Sequence, residues 1–121
     1  MTDVVTPMQV ERRLLHLSRE LDQSQEALVE AERAYMNAKS EYEIESASAR
    51  MRERQYSLES GNKITVNELD DRALLRCRIQ LRKLGEAEAI VRAERANAVR
   101  IRTQIDIARS IGTSVRKSME G

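Results

Sequence analysis

The side chains that could perform catalysis or hold a metal are few in this sequence and widely spaced. His16 is the only histidine and Cys77 the only cysteine, so imidazole and thiolate ligands cannot be clustered at a zinc-binding spacing. We interpret His16 as a solvated surface residue, and Cys77 as a small buried hydrophobic residue rather than a reactive thiol. The sequence therefore predicts a protein with no active site, no metal and no cofactor.

Carboxylates are abundant, but their spacing does not suit acid–base catalysis. Several lie two residues apart, as in Glu30/Glu32, Glu41/Glu43 and Glu86/Glu88. Residues at i and i+2 of a helix point in different directions, so these are not catalytic pairs. Glu41 and Glu45 do share a helix face and could hold a divalent cation, although a solvated acidic surface is the simpler interpretation. The segment Ser60-Gly61-Asn62-Lys63 lacks the spacing of a phosphate-binding loop.

The most regular chemical pattern is a row of arginines, which we call the arginine row: Arg95, Arg102, Arg109 and Arg116. Such a row could follow a phosphate backbone, with the salt-dependent affinity that phosphate contacts bring. Alternatively, these positions flank a coiled-coil seam and pair with carboxylates of a neighbouring helix, such as Glu11, Asp22, Glu26 and Glu32. All three tyrosines lie in the other half of the chain, so no base-stacking platform accompanies the arginines, and we favour the second interpretation.

Two long helices must position these residues. Thr6, Pro7 and Gln9 form an N-terminal capping signature, and Thr65 with Glu68 forms a second one. Gly61 lies between them in the only convincing turn. The sequence thus predicts one domain over residues 1–121, with helix 1 at about 7–59, a turn at 60–65, helix 2 at about 66–110 and a tail at 111–121. Gly85 could end helix 2, but we predict that the helix continues through it.

Both helices carry apolar residues at alternating spacings of three and four, which is typical of a coiled coil. We call the two rows the first and second seams; eleven of the fourteen positions in each are apolar or tyrosine. The first seam comprises Val10, Leu14, Leu17, Leu21, Ser24, Leu28, Ala31, Tyr35, Ala38, Tyr42, Glu45, Ala49, Arg52 and Tyr56. The second comprises Ala73, Cys77, Gln80, Leu84, Ala87, Val91, Glu94, Ala98, Ile101, Ile105, Ala108, Gly112, Val115 and Met119.

The seams predict an all-α fold, a long antiparallel helical hairpin of the coiled-coil type. Residues 1–60 carry a net charge of −4 and residues 61–121 a net charge of +5, which favours antiparallel pairing of the two helices. Many seam positions are alanine, so one hairpin would bury little apolar surface. We therefore predict a homodimer in the form of a four-helix bundle.

Apolar residues outside the seams support this prediction, because a purely solvated helix face would carry fewer of them. The candidates for an oligomer or partner face are Ile44, Met51, Ile79, Ile90, Ile107 and Ile111. The same residues would serve equally well as a groove for a different protein. No apolar run approaches the roughly 20 residues that span a bilayer, and no secretory signal is recognisable, so we expect an intracellular protein without a membrane segment.

Three segments resemble a known group of proteins: the stretch 102–116, the Leu-Ser-Arg-Glu-Leu segment at 17–21 and the Ala-Glu-Arg-Ala-Tyr segment at 31–35. They are similar to small helical proteins of tailed phages of actinobacteria, which have a similar RTxIDxxRSxGxxVR ending. The resemblance implies a phage origin and a location in the host cytoplasm, and it implies no activity and no catalytic residue. Some such proteins lie among replication and recombination genes, which implies a nucleic-acid accessory role as an alternative.

The function that we expect is therefore non-enzymatic. The first hypothesis is a coiled-coil protein that binds a second copy of itself and a phage or host protein. The alternative is a nucleic-acid-binding accessory of phage replication or recombination that uses the arginine row.

Overall fold

The structure is a computed structural model that describes residues 4–120. It contains the helices α1 (Pro7–Ser60), α2 (Val66–Arg76) and α3 (Arg78–Glu120), and no strand lies among the described residues. The predicted all-α class is confirmed.

The predicted cap starts α1. The backbone N–H of Gln9 donates to the Thr6 hydroxyl at 3.2 Å, and the Thr6 N–H donates to Gln9 Oε1 at 2.9 Å. These two bonds satisfy donors that the first helical turn would otherwise leave without partners. Pro7, the first helical residue, has no N–H to satisfy, so it suits this position.

The turn after α1 also follows the prediction. Gly61 has a φ of 71°, a left-handed conformation that a glycine adopts without steric cost. The Ser57 hydroxyl donates to the carbonyl oxygen of Asn62 and ties the turn to the end of α1. Thr65 then caps α2, since its hydroxyl accepts from the Glu68 N–H at 3.1 Å.

The prediction of one continuous second helix is wrong at Cys77, which separates α2 from α3. Its backbone lies at φ −101° and ψ 12°, and its N–H is shared at 3.1 Å between the carbonyl oxygens of Ala73 and Leu74. The Leu81 N–H still donates to the Cys77 carbonyl, so the interruption is a local tightening of one turn. Gly85, the position considered for a break, lies inside α3 as predicted.

The predicted tail at 111–121 is also wrong, because α3 continues to Glu120; Gly121 lies outside the described residues. Tertiary packing outweighs the weak helix propensity of this segment. Gly112 is buried, and Val115 is partly buried. The Thr113 hydroxyl also donates to the Arg109 carbonyl at 3.1 Å, which satisfies that side chain within the helix.

Contacts divide the chain into two compact units. The terminal unit contains the residues up to Glu30 and those from Arg92 onwards, and the turn unit contains Ala31–Val91. The prediction of one domain over residues 1–121 stays a prediction, because α1 contributes residues to both units.

In the terminal unit, α1 and α3 pack antiparallel. Val10 lies against Gly112, while Ser24 accepts from the Asn97 side chain at 3.4 Å, so residue numbers rise along α1 as they fall along α3. The core is small and aliphatic, and it consists of Leu17, Ile101, Ile105 and Ala108, with Leu14 and Leu21 packed against it.

The turn unit has a leaner core, in which Ala49, Ala73 and Cys77 pack together beside Tyr42. Small side chains let two helices approach closely, but each contact buries little apolar area. Cys77 is 2% exposed, which confirms its predicted role as a buried hydrophobic residue.

The second seam is confirmed at every predicted position except Met119, because the other thirteen are buried or half-buried. The first seam is confirmed from Val10 to Tyr42. Beyond Tyr42 the prediction is wrong at Glu45, Arg52 and Tyr56, which are exposed, and the residues that turn inward are Ser46, Ala49, Glu53 and Ser57.

The change of seam has a geometric cause. Glu53 follows Tyr42 by eleven residues, and Ser57 follows Ser46 by eleven. An eleven-residue repeat corresponds to about 3.67 residues per turn, close to the natural period of the α-helix, whereas a heptad repeat needs a left-handed supercoil to keep its seam inward. The heptad pattern therefore gives way to an eleven-residue pattern in the turn unit.

Candidate functional site

The arginine row lies on α3, and all four of its residues are exposed. Arg109 and Arg116 line a cleft of about 510 Å³ at the open end of the terminal unit, where α1 begins and α3 ends. Glu11 of α1 lines the same cleft, beside the seam residues Val10 and Gly112. The predicted neighbourhood of the arginine row and the first half of helix 1 is therefore confirmed at Arg109 and Arg116.

Within one chain, the predicted ion pairs of the row are wrong at three carboxylates. Within residues 4–120, no salt bridge joins Glu11, Asp22 or Glu26 to Arg102, Arg109 or Arg116. The Arg116 side chain instead donates to the Gly112 carbonyl of its own helix at 3.4 Å. Arg95 and Glu32 each take part in interactions.

One side of the terminal unit combines these charges with apolar residues. Leu15 lies one turn after Glu11 on α1, and residues at seven-residue intervals from Leu15 follow the same side of the helix. We call this surface the arginine face; it consists of Met8, Glu11, Leu15, Asp22 and Val29 on α1 and Arg102, Arg109 and Arg116 on α3. Met8, Leu15 and Val29 are each more than half exposed.

The opposite side of the terminal unit is different in character. Arg13 donates to the Gln104 side chain at 3.4 Å, across the two helices. At the open end, Ile111 lines an apolar cleft of about 660 Å³ together with Val4, Val5 and Met119. This side therefore holds a cross-helix hydrogen bond and an apolar cleft.

The six candidates for a partner face are all exposed, as predicted, and they are divided between the two units. Ile107 and Ile111 lie one turn apart in the terminal unit. The other four belong to the turn unit: Ile44, Met51, Ile79 and Ile90. Ile44 and Met51 share one side of α1, because they are seven residues apart.

Sequence reasoning missed an ion-pair cluster in the turn unit. The Glu53 side chain is only 7% exposed; its Oε1 accepts from Arg76 Nε at 2.5 Å, and its Oε2 lies 3.8 Å from Arg72 Nη1. Arg50 and Asp70 form a further pair at 3.2 Å. An eleven-residue repeat after Tyr42 was the signal that could have placed Glu53 inside. Nothing in this cluster is arranged to transfer a proton, because each charge is held by its opposite.

The only histidine and the only cysteine of the sequence lie in different units: His16 in the terminal unit and Cys77 in the turn unit. The His16 side chain is 60% exposed, and its Nε2 lies 2.7 Å from Glu20 Oε1, one turn along α1. Among residues 4–120, no group of three or more His, Cys, Asp or Glu side chains could hold a metal ion. No helix in this part of the chain has the length and apolar character needed to cross a membrane.

Comparison of the chain with protein-family models, with curated proteins and with solved structures gives no match.

Proposed function

We propose that this protein acts without catalysis, by presenting helical surfaces to a second copy of itself and to another protein. One observation carries this proposal. Among the described residues, twenty large hydrophobic side chains are at least 40% exposed, whereas only six are buried: Val10, Leu17, Leu69, Val91, Ile101 and Ile105. A chain with more large apolar side chains outside than inside gains stability by covering them.

A four-helix bundle of two chains is the form of self-association that we favour. Two helices with alanine-rich seams bury too little surface to offset much conformational entropy, and a second pair of helices supplies a larger core. The exposed apolar residues occur on α1, α2 and α3, so one dimer interface leaves others available for a different protein. We propose a phage or host protein for that role.

The resemblance of the C-terminal stretch to small phage proteins supports a phage origin and a host-cytoplasm location. Both are part of the proposal, and neither indicates which molecule the protein binds.

Binding of nucleic acid is the second candidate, and the charges of Arg102 and Arg109 favour it. Neither side chain forms a hydrogen bond or ion pair within residues 4–120, so both are free to contact phosphate. The chain as a whole carries a net charge of only +1, which gives little long-range attraction to a polyanion.

Light scattering over a range of micromolar concentrations tests the first proposal. We expect a mass that rises towards twice the 13.9 kDa of one chain. A mass of one chain at every concentration would contradict self-association.

Electrophoretic shifts with single- and double-stranded DNA, measured over a series of salt concentrations, test the second candidate. Binding that persists at physiological salt and disappears in Arg102→Glu/Arg109→Glu would support it. Binding that is lost at physiological salt, or that this double variant retains, would remove it.

A further inference from the structure

We propose that the arginine face is the surface through which two copies of this chain pair, with α1 of each copy lying along α3 of the other. This inference rests on the self-association proposed above and names the surface responsible for it.

The arginine face carries charged side chains of both signs. Glu11 and Asp22 of α1 and Arg102 and Arg109 of α3 are exposed, and none of them forms an ion pair within residues 4–120. One chain therefore carries a row of negative charge on α1 and a row of positive charge on α3, interrupted by the exposed Asp106, on the same surface. A second copy carries the same two rows, so it can neutralise both at once.

The symmetry of a dimer determines which residues of the two copies face each other. A two-fold axis parallel to the helices stacks α1 on the partner's α3 and keeps each residue at its own level along the bundle. Glu11 then faces the level of Arg109 and Arg116, because the three already line one cleft. Asp22 faces the level of Arg102, since the neighbouring Leu21 packs on the cluster that contains Ile101.

The alternative two-fold axis runs across the helices and stacks α1 on α1 and α3 on α3. It opposes carboxylates to carboxylates and arginines to arginines, and such like-charge contacts are destabilising. The charge pattern therefore selects one of the two symmetric face-to-face arrangements.

Pairing through the arginine face also buries exposed apolar side chains of α1. In the selected arrangement Leu15 lies near the level of Arg109, and Met8 near the level of Arg116. Arginine side chains cover apolar surface with their aliphatic stems while the guanidinium group reaches a carboxylate. Met8 and Leu15, each more than half exposed in one chain, would thus be covered at the same time as the charges are paired.

Two charge-reversal variants test the pairing. The acidic variant carries Arg102→Glu and Arg109→Glu, and the basic variant carries Glu11→Arg and Asp22→Arg. Each variant opposes like charges across its own dimer, so we expect its dimer dissociation constant to rise at least about 10-fold, measured by sedimentation equilibrium.

The decisive measurement is the equimolar mixture. In a mixed dimer of one acidic and one basic chain, negative side chains face positive ones at both contacts between α1 and α3. We therefore expect the mixture to form a mixed dimer about as stable as that of the unsubstituted protein. A single chain with all four substitutions exchanges the two rows and is likewise expected to dimerise. If either double variant loses its helical circular dichroism signal, dimerisation of this fourfold variant still tests the pairing.

The matched control is Arg100→Glu with Lys117→Glu, which makes the same change of net charge as the acidic variant at exposed positions of the same unit. Neither residue is three or four positions from a residue of the arginine face, so neither adjoins it on α3. We expect it to dimerise like the unsubstituted protein. Double variants that dimerise normally, or a mixture that stays monomeric, would contradict the proposal that the arginine face is the dimer interface. Neither result would contradict self-association itself. A monomeric unsubstituted protein would overturn both.

Discussion

Val10 of α1 lies directly against Gly112 of α3, and a Cβ atom added to Gly112 would lie 3.0 Å from Cγ1 of Val10. This distance is shorter than ordinary contact between carbon atoms. The close approach of the Val10 side chain to α3 at this level therefore depends on a glycine.

A pair of glycine substitutions tests this contact. Gly85 of α3 has open space around it, so Gly85→Ala should raise the free energy of unfolding by about 1 kcal/mol through helix propensity alone. The alanine side chain in Gly112→Ala contacts Val10. We therefore expect the free energy of unfolding of Gly112→Ala, measured by urea denaturation, to be about 1 kcal/mol or more below that of Gly85→Ala. Equal stabilisation by the two substitutions would show that Val10 does not constrain this position.

The Glu53 cluster should contribute to the stability of the turn unit. Glu53→Gln removes the charge that Arg72 and Arg76 contact, and since both arginines are about half exposed, we expect a loss of about 1–2 kcal/mol in the free energy of unfolding. Glu43→Gln, at an exposed position of the same helix, is the control and should change little. Equal effects of the two substitutions would indicate that the cluster adds no stability.

The turn should be sensitive to the residue at position 61. Gly61→Ala places a Cβ atom on a backbone with a φ of 71° and should cost about 1–2 kcal/mol, measured by thermal or urea unfolding. Gly61→Asn should cost less, because asparagine tolerates this conformation better. A stability unchanged by Gly61→Ala would mean that the turn has another conformation in solution.

The Cys77 thiol should react slowly in the folded protein. It is 2% exposed in the core of the turn unit, so reaction with a thiol reagent requires local opening. We expect slow labelling in buffer, fast labelling in urea, and fast labelling of the exposed position in Ser40→Cys under both conditions. Equally fast labelling of Cys77 and the control in buffer would contradict its burial.

Much of the fold follows from local sequence patterns. The caps at Thr6 and Thr65, the turn at Gly61 and the second seam each depend on a few neighbouring residues, and short-range geometry determines them. Leucine and isoleucine at heptad spacing also identify the core of the terminal unit.

The features that were missed depend on contacts between distant residues. The interruption at Cys77 leaves no local signal, because cysteine is compatible with a helix interior. The end of α3 packs against Val10, a residue far away in the sequence. The eleven-residue repeat indicates the inward position of Glu53, but its partners are two distant arginines of α2. Similarly, the spacing of the arginine row indicates its side of the helix but not whether its partners lie in the same chain.

Self-association is the central claim, and subunit mixing measures it directly. Chains labelled with ¹⁵N and unlabelled chains are purified separately, mixed in equal amounts and examined by native mass spectrometry. We predict species at twice the 13.9 kDa chain mass, with the mixed dimer about as abundant as the two unmixed dimers together. A spectrum that contains only single chains at micromolar concentration would contradict the account.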